Sequence, residues 1–210
     1  MPVALVLLLA GCSSTYYNAM EKFGIAKREI LADRVDETRQ AQQQAKEQFA
    51  DALQQFLAIT KVDGGDLQRK YDELNTQFKR SETRAKEVRT RISSVEDVAE
   101  ALFREWKQEL TQYSDASLRS ESQRQLDTTR QRYEALISLM RRAADRMDPI
   151  IATFRDQVLF LKHNLNARAV SSLGSTHRAL EADITRLIGD MEKSIREAEV
   201  FVRDLKAGPN

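Results

Sequence analysis

One cysteine, Cys12, stands among 210 residues, so no intrachain disulfide can form and noncovalent packing must hold the fold. Three prolines and seven glycines are far fewer than the recurrent turns of an all-β chain require. Charge of either sign is not in excess: 33 basic and 32 acidic residues leave a formal net charge of +1. No global field therefore recruits nucleic acid or acidic ligands, and nucleic acid is not expected as a partner. Only one uninterrupted apolar run occurs, Val3 to Ala10, well short of the roughly 20 residues that a membrane-spanning helix needs. What is present is 31% charged and 41% hydrophobic residues, the profile of long amphipathic helices.

The apolar run leads directly into Leu9-Ala10-Gly11-Cys12. A short hydrophobic segment closed by small residues reads as a signal peptide that is removed. A cysteine immediately after the small residues suits a bacterial lipoprotein cleavage site. Residues 1–11 are then the signal peptide, Cys12 the site of lipid attachment, 12–17 a short linker and 18–207 a single elongated helical domain. Two or three acyl chains anchor durably, since each buried methylene contributes about 0.8 kcal/mol. Met1-Pro2-Val3 lacks the Lys or Arg that usually opens such a peptide, which points to a start codon upstream. Ser13 stands where an aspartate would favour the inner membrane, so the expected location is the outer membrane, facing the periplasm.

Asn18 with Glu21 three residues later resembles a capping box, placing the first helix close to the lipid. Tyr16, Tyr17, Met20 and Phe23 are interleaved with Lys22, Lys27 and Arg28. Tyr16, Tyr17, Phe23, Lys27 and Arg28 are candidate membrane-proximal contacts, because aromatic rings and basic side chains both find partners at headgroup level. Packing on neighbouring helices explains the same residues equally well.

Apolar positions then repeat at spacings of four and three. Leu31, Val35, Thr38, Gln42, Ala45, Phe49, Ala52, Phe56 and Ile59 form one seam, weakened midway by Thr38 and Gln42. Asp63-Gly64-Gly65-Asp66 ends it, with Asp66 able to cap the next helix. The second seam runs from Leu67 through Leu74, Val88, Val95 and Leu102 to Trp106 and Tyr113. Seams sustained this long specify left-handed coiled-coil packing. A turn over Tyr113–Ser117, loosely capped by Ser117, precedes a third seam from Ser122 and Leu126 to Ile150 and Phe154, where Asp148-Pro149 predicts a kink or brief break near Met147. Ser171–Ser175 makes the last turn, and Leu180 to Leu205 line a shorter helix. Short turns force antiparallel neighbours, so the expected fold is all-α: an elongated antiparallel helical bundle, or coiled coil, of about four long helices.

No catalytic centre is legible. No glycine opens a GxxxxGK[ST] phosphate loop, and no strand-to-helix nucleophile elbow is visible. The two histidines, His163 and His177, flank the last turn but lack companions for a metal site. No catalytic, cofactor-binding or metal residue is therefore assigned, and no cofactor is expected. The stretch Lys162-His163-Asn164-Leu165-Asn166-Ala167-Arg168 has the most individual polar pattern. A buried polar layer that fixes register is its simplest explanation. Lys162, His163, Asn164, Asn166 and Arg168 are also the candidate partner contacts.

Several separated segments carry a family resemblance: Tyr16 to Gly24, Asp63-Gly64-Gly65-Asp66-Leu67, Val95 to Phe103, and Asp156 to Arg168. Together they resemble an uncharacterised family of proteobacterial lipoproteins, catalogued as a domain of unknown function. The likeness covers nearly the whole mature chain and implies the envelope location more than any role. Members are sometimes labelled DNA repair ATPases, but the missing nucleotide loop and the export signal argue against carrying that label over.

Three functions compete. The first is a noncatalytic, periplasm-facing scaffold or spacer in the cell envelope, anchored by its N-terminal lipid and serving an unidentified protein partner. The second is a membrane-remodelling or pore-forming helical assembly, which includes self-association into a homo-oligomer. The third is a cytoplasmic coiled-coil ATPase or DNA-associated protein.

Overall fold

The computed structural model describes residues 26–61, 66–164 and 177–207. Four α-helices account for nearly all of them: α1 (Lys27–Lys61), α2 (Leu67–Glu109), α3 (Ala116–His163) and α4 (His177–Ala207), with a 3₁₀ turn at Leu110–Gln112 extending α2. At 1.5 Å per residue, α3 is a rod of about 70 Å. Each helix packs on its neighbours in the chain, and α4 closes the ring against α1. Direction follows from cross-helix partners. Glu37 meets Arg91 at 2.7 Å while Lys27 meets Glu105 at 2.8 Å, so α2 descends as α1 rises.

The heptad positions go inside. All nine seam residues of α1, from Leu31 to Ile59, are buried, Thr38 and Gln42 among them. Leu74, Val88, Val95 and Leu102 of α2, Met140, Met147, Ile150 and Phe154 of α3, and Leu180, Ile184, Leu187 and Met191 of α4 fill the remaining quadrants. Phe56 and Phe154 meet edge to face across the bundle, with ring centroids 6.1 Å apart. Buried positions widen to adjacent residues near the end of α2, where Val98, Ala101 and Phe103 join the seam because α2 faces both α1 and α3.

Arginine–carboxylate pairs stitch the neighbouring helices outside this core. α3 supplies Arg132 to Asp204 at 2.6 Å, Arg141 to Glu96 at 2.6 Å and Arg155 to Glu82 at 2.9 Å, and Arg146 pairs with Asp190. Exposed pairs contribute only about 0–1 kcal/mol each. Their main effect is to fix which faces meet.

Three local expectations are corrected. Tyr113 is not a seam residue: α2 has already ended, and Tyr113 lies in the connection, 37% exposed. The cap of α3 is Asp115 rather than Ser117. Its carboxylate accepts from the amides of Ser117 at 2.7 Å and Leu118 at 3.0 Å, and a charged acceptor suits the positive end of a helix better than a hydroxyl. Finally, α3 does not break at Pro149. Pro149 and Asp145 both face solvent, so the carbonyl that loses its partner can be hydrated. By contrast, Asp66 caps α2 as the sequence implies, accepting from the Arg69 amide at 3.1 Å. The Asn18–Glu21 cap, the Gly64-Gly65 turn and the Ser171–Ser175 turn lie outside the described residues.

Candidate functional sites at the two ends of the bundle

The start of α1, the end of α2, the start of α3 and the end of α4 share one end, the one through which the chain enters from its N-terminal residues. Lys27 is buried, and its ammonium pairs with Glu105. The Arg28 guanidinium lies over the Trp106 ring, 5.4 Å from its centroid, while the indole Nε1 donates to Ser122 Oγ at 2.8 Å. These two basic residues are thus engaged within the bundle, which is the packing alternative their sequence allowed. Tyr16, Tyr17 and Phe23, like Cys12, lie outside the described residues.

Two open clefts flank Arg28. One, of about 400 Å³, runs between α3 and α4; Arg124, Thr128 and Arg132 rim it above Phe201 and Leu205. The other, of about 310 Å³, is bordered by Ala26, Glu109, Tyr113 and Gln125. Farther down, Tyr133 packs against Phe103 with centroids 5.4 Å apart. Burial, and then the nearby charge of Glu96, push its hydroxyl up to about 12.

At the opposite end, Lys162 and His163 close α3 and are exposed. Asn164 turns back on the helix, its Nδ2 donating to Phe160 O at 3.0 Å and its amide to Leu161 O at 3.2 Å. These three residues form a helix terminus rather than a buried polar layer, because the seam has reached its last inward position at Leu161. Asn166 and Arg168 lie outside the described residues. His177 begins α4 and approaches Glu181 Oε2 at 3.4 Å. Lys70 reaches Ile59 O at 3.5 Å, where a cation complements the carbonyl end of α1.

The buried polar layer is instead in the middle of the bundle. Ser194 Oγ donates to Gln42 Oε1 at 2.9 Å, and both residues are fully buried. Gln42 Nε2 has no partner, nor does the buried Ser81 hydroxyl. The clue was available in the sequence, since Gln42, Ser81 and Ser194 each stand at or beside a seam position. Which of them would meet depended on the register between α1 and α4.

Among the described residues, no group of three or more His, Cys, Asp or Glu side chains could hold a metal ion, and no helix is long and apolar enough to cross a membrane. The family described as Protein of unknown function (DUF2959) matches residues 16–205. The chain belongs to this family. Its match starts four residues after Cys12 and takes in α1 to α3 and all but the last two residues of α4, so the bundle is the family's domain. No curated protein and no solved structure matches the chain.

Proposed function

We propose that the protein is a lipid-anchored, noncatalytic scaffold or spacer of the cell envelope, cleaved before Cys12, acylated there, and facing the periplasm from the outer membrane. The observation that carries this reading is Leu9-Ala10-Gly11-Cys12 following the apolar run. The bundle is compatible with it: α1 begins at Lys27, fifteen positions after Cys12, and the rod extends about 70 Å from that end. A spacer needs a stiff body and a fixed foot. The clefts are shallow and converge no catalytic groups, which suits a body that holds rather than transforms. The remodelling alternative would need apolar helix faces to offer to lipid, whereas the heptad seams are consumed in the core.

Growth with labelled palmitate tests the anchor directly. The wild-type chain is expected to incorporate label and float with outer-membrane fractions, and Cys12→Ala to lose both. Absence of label in the wild type, with unchanged fractionation of Cys12→Ala, would refute the reading.

A further inference from the structure

We propose that the connection between α2 and α3 is a second membrane contact, resting on phospholipid beside the anchored N-terminus. This deepens the lipoprotein reading and rests on it. Leu118, in the first turn of α3, is 58% exposed, the most exposed large apolar side chain among the described residues. Tyr113, 37% exposed, lies in the connection that leads into this helix. Neither serves the core: the last buried seam residues here are Leu110 and Ser122.

Arginines stand near the pair, together with the carboxylates of Glu109, Asp115 and Glu121. Arg119 donates to the Tyr113 backbone carbonyl at 3.2 Å, which holds its guanidinium at the connection. Arg124, which also pairs with Glu121, and Arg28 border the adjoining clefts. An aliphatic side chain that can immerse, a tyrosine with an apolar body and a polar tip, and guanidiniums able to bind phosphate are what a bilayer surface accepts.

The position of this tip selects lipid as the occupant. It lies at the end where Ala26 enters the bundle, and thirteen residues lie between Cys12 and Ala26, a reach of at most about 50 Å even when fully extended. The opposite end also exposes an apolar pair, Leu159 and Phe160, but at the far side of a rod of about 70 Å. That pair serves as an internal control. Tethering raises the effective concentration of bilayer at the near tip only, so a contact too weak to bind alone becomes occupied.

The test uses the full, acylated protein in vesicles of phosphatidylethanolamine and phosphatidylglycerol. Acylation consumes the only native thiol, so Ser117→Cys or Lys162→Cys provides a single site for an environment-sensitive fluorophore. The probe at 117 is expected to shift to the blue and to be quenched severalfold more by spin-labelled lipid than the probe at 162. Adding Leu118→Asp should abolish most of that difference while flotation persists, and the exposed position leaves the fold intact. Flotation with both probes equally in water would overturn the tip contact and leave the anchor standing. Failure to float, with both thiols reactive, would overturn the anchor and with it this inference. A blue shift at 117 that needs no vesicles and grows with protein concentration would replace lipid with a second copy of the chain.

Discussion

Gln42 allows the sharpest test of the packing. Its amide is fully buried, Oε1 accepts from Ser194, and Nε2 meets nothing. Exchanging the two amide atoms does not help, because Ser194 can satisfy only one of them. A buried polar group without a partner costs about 1–3 kcal/mol, whereas one neutral hydrogen bond returns about 1 kcal/mol. Gln42→Met keeps length and volume, removes the orphan donor, and leaves the Ser194 hydroxyl free to bond the carbonyl one turn back in α4. The substitution should stabilise the bundle by about 1 kcal/mol, raising the melting temperature by about 2–4 °C for a chain of this size. Ser194→Ala should act in the opposite direction, since it strands Oε1 as well, and cost about 1–2 kcal/mol. The double variant Gln42→Met/Ser194→Ala should recover the stability of Gln42→Met, a non-additivity that only direct contact produces. Chemical denaturation of the four proteins measures this cycle. A loss above about 1 kcal/mol in Gln42→Met would show the amide to be fully satisfied, as by a buried water, and would refute the reasoning.

Two other substitutions test different layers. Leu102→Asp places a carboxylate in the α2 seam at a buried position and should cost about 3 kcal/mol or more; unchanged thermal unfolding would contradict the assignment of that face to the core. Tyr133 tests the neighbouring aromatic contact through pH. Its hydroxyl is raised from the ordinary 10.0 to about 12, so the folded state favours the protonated form. The resulting stability is complete below pH 10 and is lost as pH rises toward 12, where the unfolded chain ionises first. Tyr133→Phe should therefore lose less stability than wild type across that interval, and an ultraviolet titration should show one tyrosine ionising late. Ionisation of all five tyrosines together near 10 would contradict the burial of this ring.

Much of the bundle was legible because its signal is local and repeated. Leu31 to Ile59 recur at heptad spacing, and a strand could not place such a pattern on one face. Turn chemistry was legible where one acceptor was available, as at Asp66. It misled at Tyr113–Ser117, where a tyrosine continued the apolar spacing past the end of the helix and Asp115 competed with Ser117 for the cap. At Pro149 the brief break, one of the two outcomes its position allowed, does not occur, because the cost depends on whether the freed carbonyl faces water, which spacing alone does not reveal. Lys162, His163 and Asn164 looked individually chosen, yet they end α3 beyond the last inward residue.

The sequence by itself determined that the chain is all-α, that its helices pair antiparallel through heptad seams, and that its single cysteine, Cys12, follows an apolar run closed by small residues. These are properties of spacing along one strand of chain, and spacing is fully written there. Only the tertiary structure decided that α4 closes on α1, that Gln42 meets Ser194, and that Arg28, Trp106 and Ser122 converge at the end where the chain enters. Those contacts join residues that are distant in sequence. They depend on the register in which four helices settle, which is fixed by the packing of all the seams together rather than by any one of them.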